Sequence, residues 1–169
     1  LQLAFGPDGV LYAGGVFTTI NGVAAVRVAQ RSVAGTWTAL GGGSTQDVYA
    51  MVYSNGRLYL AGDTTGAGVY TVSYWNGSAW TSTGNATAAS IVRALAVGKN
   101  GILYAGGSFT TMGGVAASLV AQYNGTAWTP LGTGLAGGSA DVSVIRVLPD
   151  GTTPALGKVC AKCGHRVGS

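Results

Sequence analysis

The residues with the clearest potential for chemistry lie near the carboxyl end, where Cys160 and Cys163 are followed by His165. A C-x-x-C-G spacing is typical of a zinc knuckle, because it brings two thiolates to one tetrahedral ion. The chain has no second C-x-x-C pair, and His165 follows too closely for an ordinary Cys2His2 site, so a full site needs ligands from another chain. A disulfide and reduced thiols in an unstructured tail are the alternatives. We therefore expect no cofactor apart from zinc at this tail, in the case where another chain completes the site.

The acidic side chains are five aspartates, since the chain contains no glutamate. Asp47 and Asp141 stand at similar positions just ahead of the first strands of the second and fourth repeats, where a loop carboxylate can bind calcium or accept a hydrogen bond from a sugar hydroxyl. A solvated loop residue is the simpler interpretation of both. Asp63 is unique to the degenerate middle repeat, which makes it a candidate ligand-binding residue, and a shortened loop explains it equally well. General acid–base catalysis needs paired titratable groups, and residues 1–151 contain neither glutamate nor histidine. We therefore expect a protein that is not an enzyme.

Aromatic residues offer a second kind of ligand chemistry, because exposed tyrosine and tryptophan rings stack on the faces of sugars. Tyr74 and Trp75 are adjacent in a segment rich in threonine, serine and asparagine, and we expect them to form an exposed platform for a glycan. Trp37, Trp80 and Trp128 each begin a Trp-Thr unit. Their recurrence favours a packing role between neighbouring elements.

An internal repeat organises the chain that carries these residues. Residues 11–30 (LYAGGVFTTINGVAAVRVAQ) and 103–122 (LYAGGSFTTMGGVAASLVAQ) are identical at fifteen of twenty positions, at an offset of 92. Residues 57–62 occupy the corresponding place in a degenerate middle copy. The period is therefore about 46 residues, and many of the thirty glycines mark its turns.

Each repeat shows the same order of apolar runs and turns. An apolar run precedes an Asp-Gly or Asn-Gly pair, which favours a tight β-hairpin turn, and a LYAGG strand, a third strand and a Trp strand follow. Four short strands make a sheet that must stack on its neighbours. We predict an all-β, β-propeller-like fold with three four-stranded antiparallel blades plus the start of a fourth. A β-helix coil is usually shorter, and a sandwich would not reproduce one block twice.

The repeat period also sets the expected boundaries. The blades span about residues 3–47, 48–90 and 91–140, and a partial fourth spans residues 141–151. The pattern breaks after residue 151, so we expect residues 152–169 to form a basic tail that contains the cysteines.

The pattern L-Y-A-G-G-x-F-T-T-x-x-G-V-A-A, followed by V-A-Q-Y-N-G-x-A-W-x-x-L-G-x-G, resembles the blades of bacterial and phage surface propellers, distant relatives of Kelch and galactose-oxidase-type repeats. The resemblance covers Leu3 to about Gly151. It implies a β-propeller in a surface or virion setting. It implies no particular activity, because propellers host lectins, adhesins, scaffolds and enzymes.

The charge distribution argues against nucleic acid as a partner. The chain carries a formal charge of +4, but residues 1–151 contain six scattered basic residues against all five aspartates. The remaining excess lies in the tail, so no basic patch is expected. No apolar run is long enough to form a transmembrane helix, so membrane insertion is not expected either.

Three repeats and the start of a fourth leave strand edges and apolar faces unpaired. We expect other copies of the chain, or neighbours in a larger assembly, to cover them, and a fragment of a larger propeller is the alternative. The predicted function is a non-enzymatic structural or interaction module of an extracellular, cell-surface or virion assembly of the phage tail or fibre type. The alternatives are a propeller lectin or adhesin that binds surface glycans, and a fragment of a glycan-active propeller enzyme.

Overall fold

The computed structural model describes residues 1–64, 70–83, 91–135, 141–147 and 154–158. Within these ranges the regular structure is β strand, apart from one short 3-10 helix at Pro7–Gly9. The strands, in chain order, are β1 (Gln2–Phe5), β2 (Leu11–Gly14), β3 (Thr19–Ile20), β4 (Val23–Ala24), β5 (Val28–Arg31), β6 (Trp37–Ala39), β7 (Gln46–Ser54), β8 (Arg57–Thr64), β9 (Tyr70–Trp75), β10 (Trp80–Ser82), β11 (Val92–Val97), β12 (Leu103–Gly107), β13 (Thr111–Met112), β14 (Val115–Ala116), β15 (Val120–Tyr123), β16 (Trp128–Pro130), β17 (Val142–Val147) and β18 (Pro154–Lys158).

Three four-stranded antiparallel sheets follow one another along the chain, which confirms the predicted repeat. Their strand orders are β1-β2-β5-β6, β7-β8-β9-β10 and β11-β12-β15-β16. We call these sheets blades 1, 2 and 3. In blades 1 and 3 the interval between the second and third large strands also holds a two-stranded hairpin, β3-β4 or β13-β14, which the repeat pattern did not indicate.

The fourth repeat extends further than the sequence indicated. β17 pairs antiparallel with β18 from Val142↔Lys158 to Val147↔Pro154. The boundary expected after residue 151 is therefore wrong, because residues 154–158 form the second strand of blade 4 and do not belong to a tail. The LYAGG motif is missing there, but backbone pairing with β17 needs no particular side chains.

The first strands of the blades lie side by side, in the order β1, β7, β11 and β17. An apolar cluster fills each space between consecutive blades. Tyr12 and Leu58 belong to the cluster between blades 1 and 2, Val72 and Leu103 to the next, and Tyr104 and Ile145 to the last. This is the arrangement of consecutive propeller blades, and the predicted fold class is confirmed.

Each blade uses one face towards the preceding blade and the other towards the following blade. We call them the front face and the back face. In blade 3, Leu95, Val97 and Leu103 lie on the front face and contact blade 2. Ala94 and Tyr104 lie on its back face and contact blade 4. This alternation follows from the two-residue period of strands.

One predicted hairpin turn is confirmed in detail. Asn55 and Gly56 join β7 to β8, and both have positive φ angles (49° and 75°), as a tight primed turn requires. The turns at Asp8-Gly9 and Asn100-Gly101 are longer, since the hydrogen bonds Gly6 N to Val10 O and Gly98 N to Ile102 O close wider loops. Among the residues the structure describes, no helix has the length and hydrophobicity needed to cross a membrane.

Candidate functional site at the channel mouth

The first strands of blades 2, 3 and 4 each carry a β-bulge at the same repeat position. The strand register shifts between Val48 and Ala50, between Val92 and Ala94, and between Val142 and Val144. The extra residues are Tyr49, Arg93 and Ser143. A bulge redirects the side chain of its extra residue, and bulges are common beside functional sites.

The three bulge residues line one cavity of about 570 Å³. Blade 1 contributes Leu1, which lies 92 residues before Arg93 and so occupies the equivalent position, together with Gln2 and Val16. We call this cavity, lined by Leu1, Gln2, Val16, Tyr49, Arg93 and Ser143, the channel mouth. Gln2, Arg93 and Ser143 also line a smaller cavity of about 180 Å³ between the first strands. All four blades therefore contribute to one concave polar surface.

Arg93 is fixed in the channel mouth by an ion pair across the boundary between blades 3 and 4. Its Nε lies 2.6 Å from Asp141 Oδ2, and the Arg93 side chain keeps 44% of its surface exposed. The other carboxylate oxygen of Asp141, Oδ1, is buried without a hydrogen-bond partner. Asp141 is therefore not the solvated loop residue of the simpler interpretation, because its carboxylate holds the arginine.

Asp47 makes the corresponding contact between blades 1 and 2. Arg27 Nε donates a hydrogen bond to Asp47 Oδ1 at 2.5 Å, and both side chains are partly buried. Asp47 and Asp63 lie on β7 and β8, so the loop placement expected for them is wrong. The two residues are directly opposite each other in the strand register. Asp63 is only 8% exposed, and its Oδ1 has no hydrogen-bond partner.

The Tyr49 hydroxyl is protonated at neutral pH, as that of any ordinary tyrosine is, and its environment raises its pKa further. Burial raises the pKa of Tyr49, and the negative charges of Asp47 and Asp63 raise it further, while Arg93 opposes them. Its ring centroid lies 6.4 Å from that of Tyr70. Tyr49 can therefore act as a hydrogen-bond donor in the channel mouth.

The expectation that Tyr74 and Trp75 form one exposed platform is wrong. They are consecutive on β9, so their side chains point to opposite faces of blade 2. Tyr74 packs beside Tyr59, with ring centroids 5.6 Å apart, and Arg57 lies 4.5 Å above the Tyr74 ring.

Trp75 faces the boundary with blade 1 instead. It packs against Trp80, with ring centroids 5.4 Å apart, and lines a groove of about 300 Å³ together with Tyr12, Gln30 and Tyr53. A separate role of Trp75 in ligand binding stays a prediction.

The predicted zinc ligands Cys160, Cys163 and His165 lie outside the described residues. Zinc binding there stays a prediction. Within the ranges the structure describes, no group of three or more histidine, cysteine or acidic side chains could hold a metal ion.

Sequence reasoning missed Tyr49, Arg93 and Ser143, although a signal for them exists. The segments Val48–Met51, Val92–Leu95 and Val142–Ile145 share one pattern, in which a variable residue follows valine and precedes two apolar residues. The apolar positions match across the repeats, while the second position changes from tyrosine to arginine to serine. This variable second position is the extra residue of each bulge.

Comparison with known proteins supports the repeat. No match was found among curated proteins. A family model described as "Domain of unknown function (DUF5122) beta-propeller" matches residues 6–30. This stretch runs from the turn before β2 to the third residue of β5, and it includes the block that recurs at residues 103–122. The match and the stacked four-stranded sheets agree that the chain contains β-propeller repeats.

Proposed function

We propose that the chain is a non-enzymatic interaction module that assembles with further copies of itself through the free faces of its terminal blades. The setting we propose is a cell-surface or virion assembly, as the resemblance of the repeats to surface propellers suggests. Three observations support the proposal. Apolar side chains of blade 1 are exposed, each blade packs its back face on the front face of the next, and two carboxylates hold arginines across blade boundaries.

The observation that carries the proposal is the exposure of the front face of blade 1. Leu3 and Phe5 are 56% and 74% exposed. Their equivalents 92 residues later, Leu95 and Val97, pack against the core between blades 2 and 3. The same kind of surface is therefore covered on blade 3 and exposed on blade 1. Burial of such apolar area is the main favourable term in association.

The occupant that best fits this face is the back face of a blade, since every internal boundary pairs a back face with a front face. Within the part of the chain that the structure describes, blade 4 exposes its back face. Val144 is 42% exposed, and Arg146, two residues along β17, is exposed as well. We propose that blade 4 of one copy packs on blade 1 of a second copy, in a head-to-tail contact.

The carboxylates of the described blades support a role other than catalysis. Asp47 and Asp141 are held by Arg27 and Arg93 across blade boundaries. Asp63 lies opposite Asp47, but its burial keeps it from a sugar ring in solution. Glycoside hydrolysis needs two carboxyl groups that flank a bound sugar. Asp47 is held by Arg27 and Asp63 is buried, so this pair is not placed to flank a substrate.

Sedimentation velocity over a range of concentrations tests the proposal. We expect the wild-type chain to associate and the variant Leu3→Asp to remain a monomer, because it places a charge in the apolar contact. Val33→Asp is the matched control, since Val33 is 71% exposed in the turn between β5 and β6. A wild type that is monomeric at every concentration, or equal effects of the two variants, would refute the proposal.

A further inference from the structure

The three bulge positions of the channel mouth differ among blades 2, 3 and 4, while the residues beside them stay apolar. Val48, Val92 and Val142 precede the bulges. Two apolar residues follow each bulge, which are alanine and methionine in blade 2, alanine and leucine in blade 3, and valine and isoleucine in blade 4. The bulge residues themselves are Tyr49 and Arg93 in the complete blades and Ser143 in blade 4. Packing alone accounts for the constant positions, and it gives no reason for three different polar side chains at the variable one.

From this arrangement we infer that the channel mouth binds a small carboxylated sugar. The inference goes beyond assembly, because the described residues that line the cavity all belong to one chain. The volume of about 570 Å³ lies in the usual range for small-molecule sites.

Arg93 supplies the recognition of the carboxylate. It is the one charged side chain among the described residues that line the cavity. Its ion pair with Asp141 uses Nε and holds the side chain in place, while 44% of its surface stays exposed. A guanidinium carries five N–H donors in a planar fork that matches a carboxylate.

The other side chains fit the body of a sugar. Tyr49 donates a hydrogen bond, because its hydroxyl stays protonated at neutral pH. Ser143 and Gln2 both donate and accept hydrogen bonds, as hydroxyl groups require. Leu1 and Val16 add apolar surface for the C–H face of a sugar ring. A bare inorganic anion would use Arg93 and leave these groups without a role.

The test is an NMR titration of the whole chain with sodium glucuronate at constant ionic strength, with glucose and inorganic phosphate as comparison ligands. We expect glucuronate to bind and glucose to bind at least about tenfold more weakly, because glucose lacks the charge-assisted hydrogen bonds. Phosphate should also bind at least about tenfold more weakly, because it leaves the hydrogen-bonding groups of Tyr49, Ser143 and Gln2 unused. Arg93→Gln should weaken glucuronate binding at least about tenfold. Tyr49→Phe should weaken the binding of glucuronate, because it removes only the hydroxyl.

Arg27→Gln is the matched control. It also removes one ion pair between blades, but Arg27 does not line the cavity. We expect it to leave glucuronate affinity unchanged, and the unfolding midpoints of the two arginine variants will show that both are folded. Absence of glucuronate binding, equal losses in both arginine variants, or phosphate binding as tight as glucuronate binding would each overturn the inference. The inference would also be overturned if Trp75→Ala weakened glucuronate binding and Arg93→Gln did not, because the sugar would then lie in the groove between blades 1 and 2.

The outcome is independent of the assembly proposed above. The same titration on Leu3→Asp, which we expect to be monomeric, should give the same affinity. Failure of assembly and failure of sugar binding are therefore separate results.

Discussion

The indole Nε1 of Trp128 donates a hydrogen bond to Thr83 Oγ1 at 3.1 Å, and this bond links blade 3 to blade 2. Thr83 Oγ1 in turn donates to the Val72 carbonyl of β9, at 2.9 Å. Both residues are buried. The repeated tryptophan therefore acts as a contact between blades at this boundary, as its recurrence in the sequence predicted.

The boundary between blades 1 and 2 lacks this bond. Leu40 follows Trp37 by three residues, as Thr83 follows Trp80, and it is buried in the apolar cluster. Trp80 Nε1 is correspondingly buried without a hydrogen-bond partner. The tryptophan of blade 3 is thus held by a polar contact with blade 2, whereas the equivalent Trp80 of blade 2 meets blade 1 through apolar packing.

Replacing Thr83 with valine should lower the free energy of unfolding by about 1–3 kcal/mol, because the Trp128 Nε1 donor is left buried without an acceptor. The double-mutant cycle of Thr83→Val and Trp128→Phe should give a coupling of at least about 0.5 kcal/mol. Urea unfolding measures both values. Additive effects of the two substitutions would show that the bond contributes nothing.

Two substitutions on the facing strands β7 and β8 should change the free energy of unfolding in opposite directions. Asp47→Asn should lower the free energy of unfolding by about 1 kcal/mol, since it weakens the contact with Arg27. Asp63→Asn should raise it by about 0.5 kcal/mol, because it removes a like charge directly opposite Asp47. Urea unfolding of the two variants checks the signs, and a loss of stability from Asp63→Asn equal to that from Asp47→Asn would contradict this account.

The glycines at positions 41 and 132 provide a matched pair for the packing of Trp75. Both lie in the same repeat position with positive φ angles, of 57° and 60°. A Cβ added at Gly41 would collide with the Trp75 ring, while one added at Gly132 would meet nothing within 4 Å.

Gly132→Ala should therefore cost about 1–2 kcal/mol of stability, from backbone strain alone. Gly41→Ala should cost about 1–3 kcal/mol more and change the fluorescence of Trp75. Thermal unfolding with fluorescence detection measures both effects. Equal costs for the two substitutions would mean that Trp75 does not occupy its place against blade 1.

A partly buried tyrosine, Tyr12, makes stability depend on pH in the alkaline range. Burial raises the pKa of Tyr12, and the neighbouring Tyr53 raises it further. The folded chain therefore retains protons that the unfolded chain loses, so stability is full below the unfolded pKa of about 10 and falls as the pH rises above it. The decline of the urea midpoint above about pH 10 should be shallower in Tyr12→Phe. A decline as steep as that of the wild type would exclude Tyr12 as a cause.

The repeat explains why most of the fold could be predicted from the sequence. Local signals recur in each blade, including the turn at Asn55-Gly56 and the tryptophan that begins the fourth strand. The separation of Tyr74 and Trp75 could also have been predicted, because consecutive strand residues point to opposite faces.

The remaining features depend on how one blade is placed on the next. Arg27 and Asp47 are twenty residues apart and meet only across a blade boundary. The grouping of Tyr49, Arg93 and Ser143 likewise needs the first strands to lie side by side. Strand β18 shares no motif with its equivalents, and its pairing with β17 places it in blade 4.

The most direct test of the assembly is the solvent accessibility of Phe5, measured by hydroxyl-radical footprinting at increasing protein concentration. Val33 serves as the internal reference, because it is 71% exposed against 74% for Phe5 but lies in the turn between β5 and β6, outside the strands of blade 1. We predict that Phe5 becomes protected as the chain associates while Val33 stays labelled. Labelling of Phe5 that matches Val33 at all concentrations would contradict the head-to-tail contact between blade 4 and blade 1.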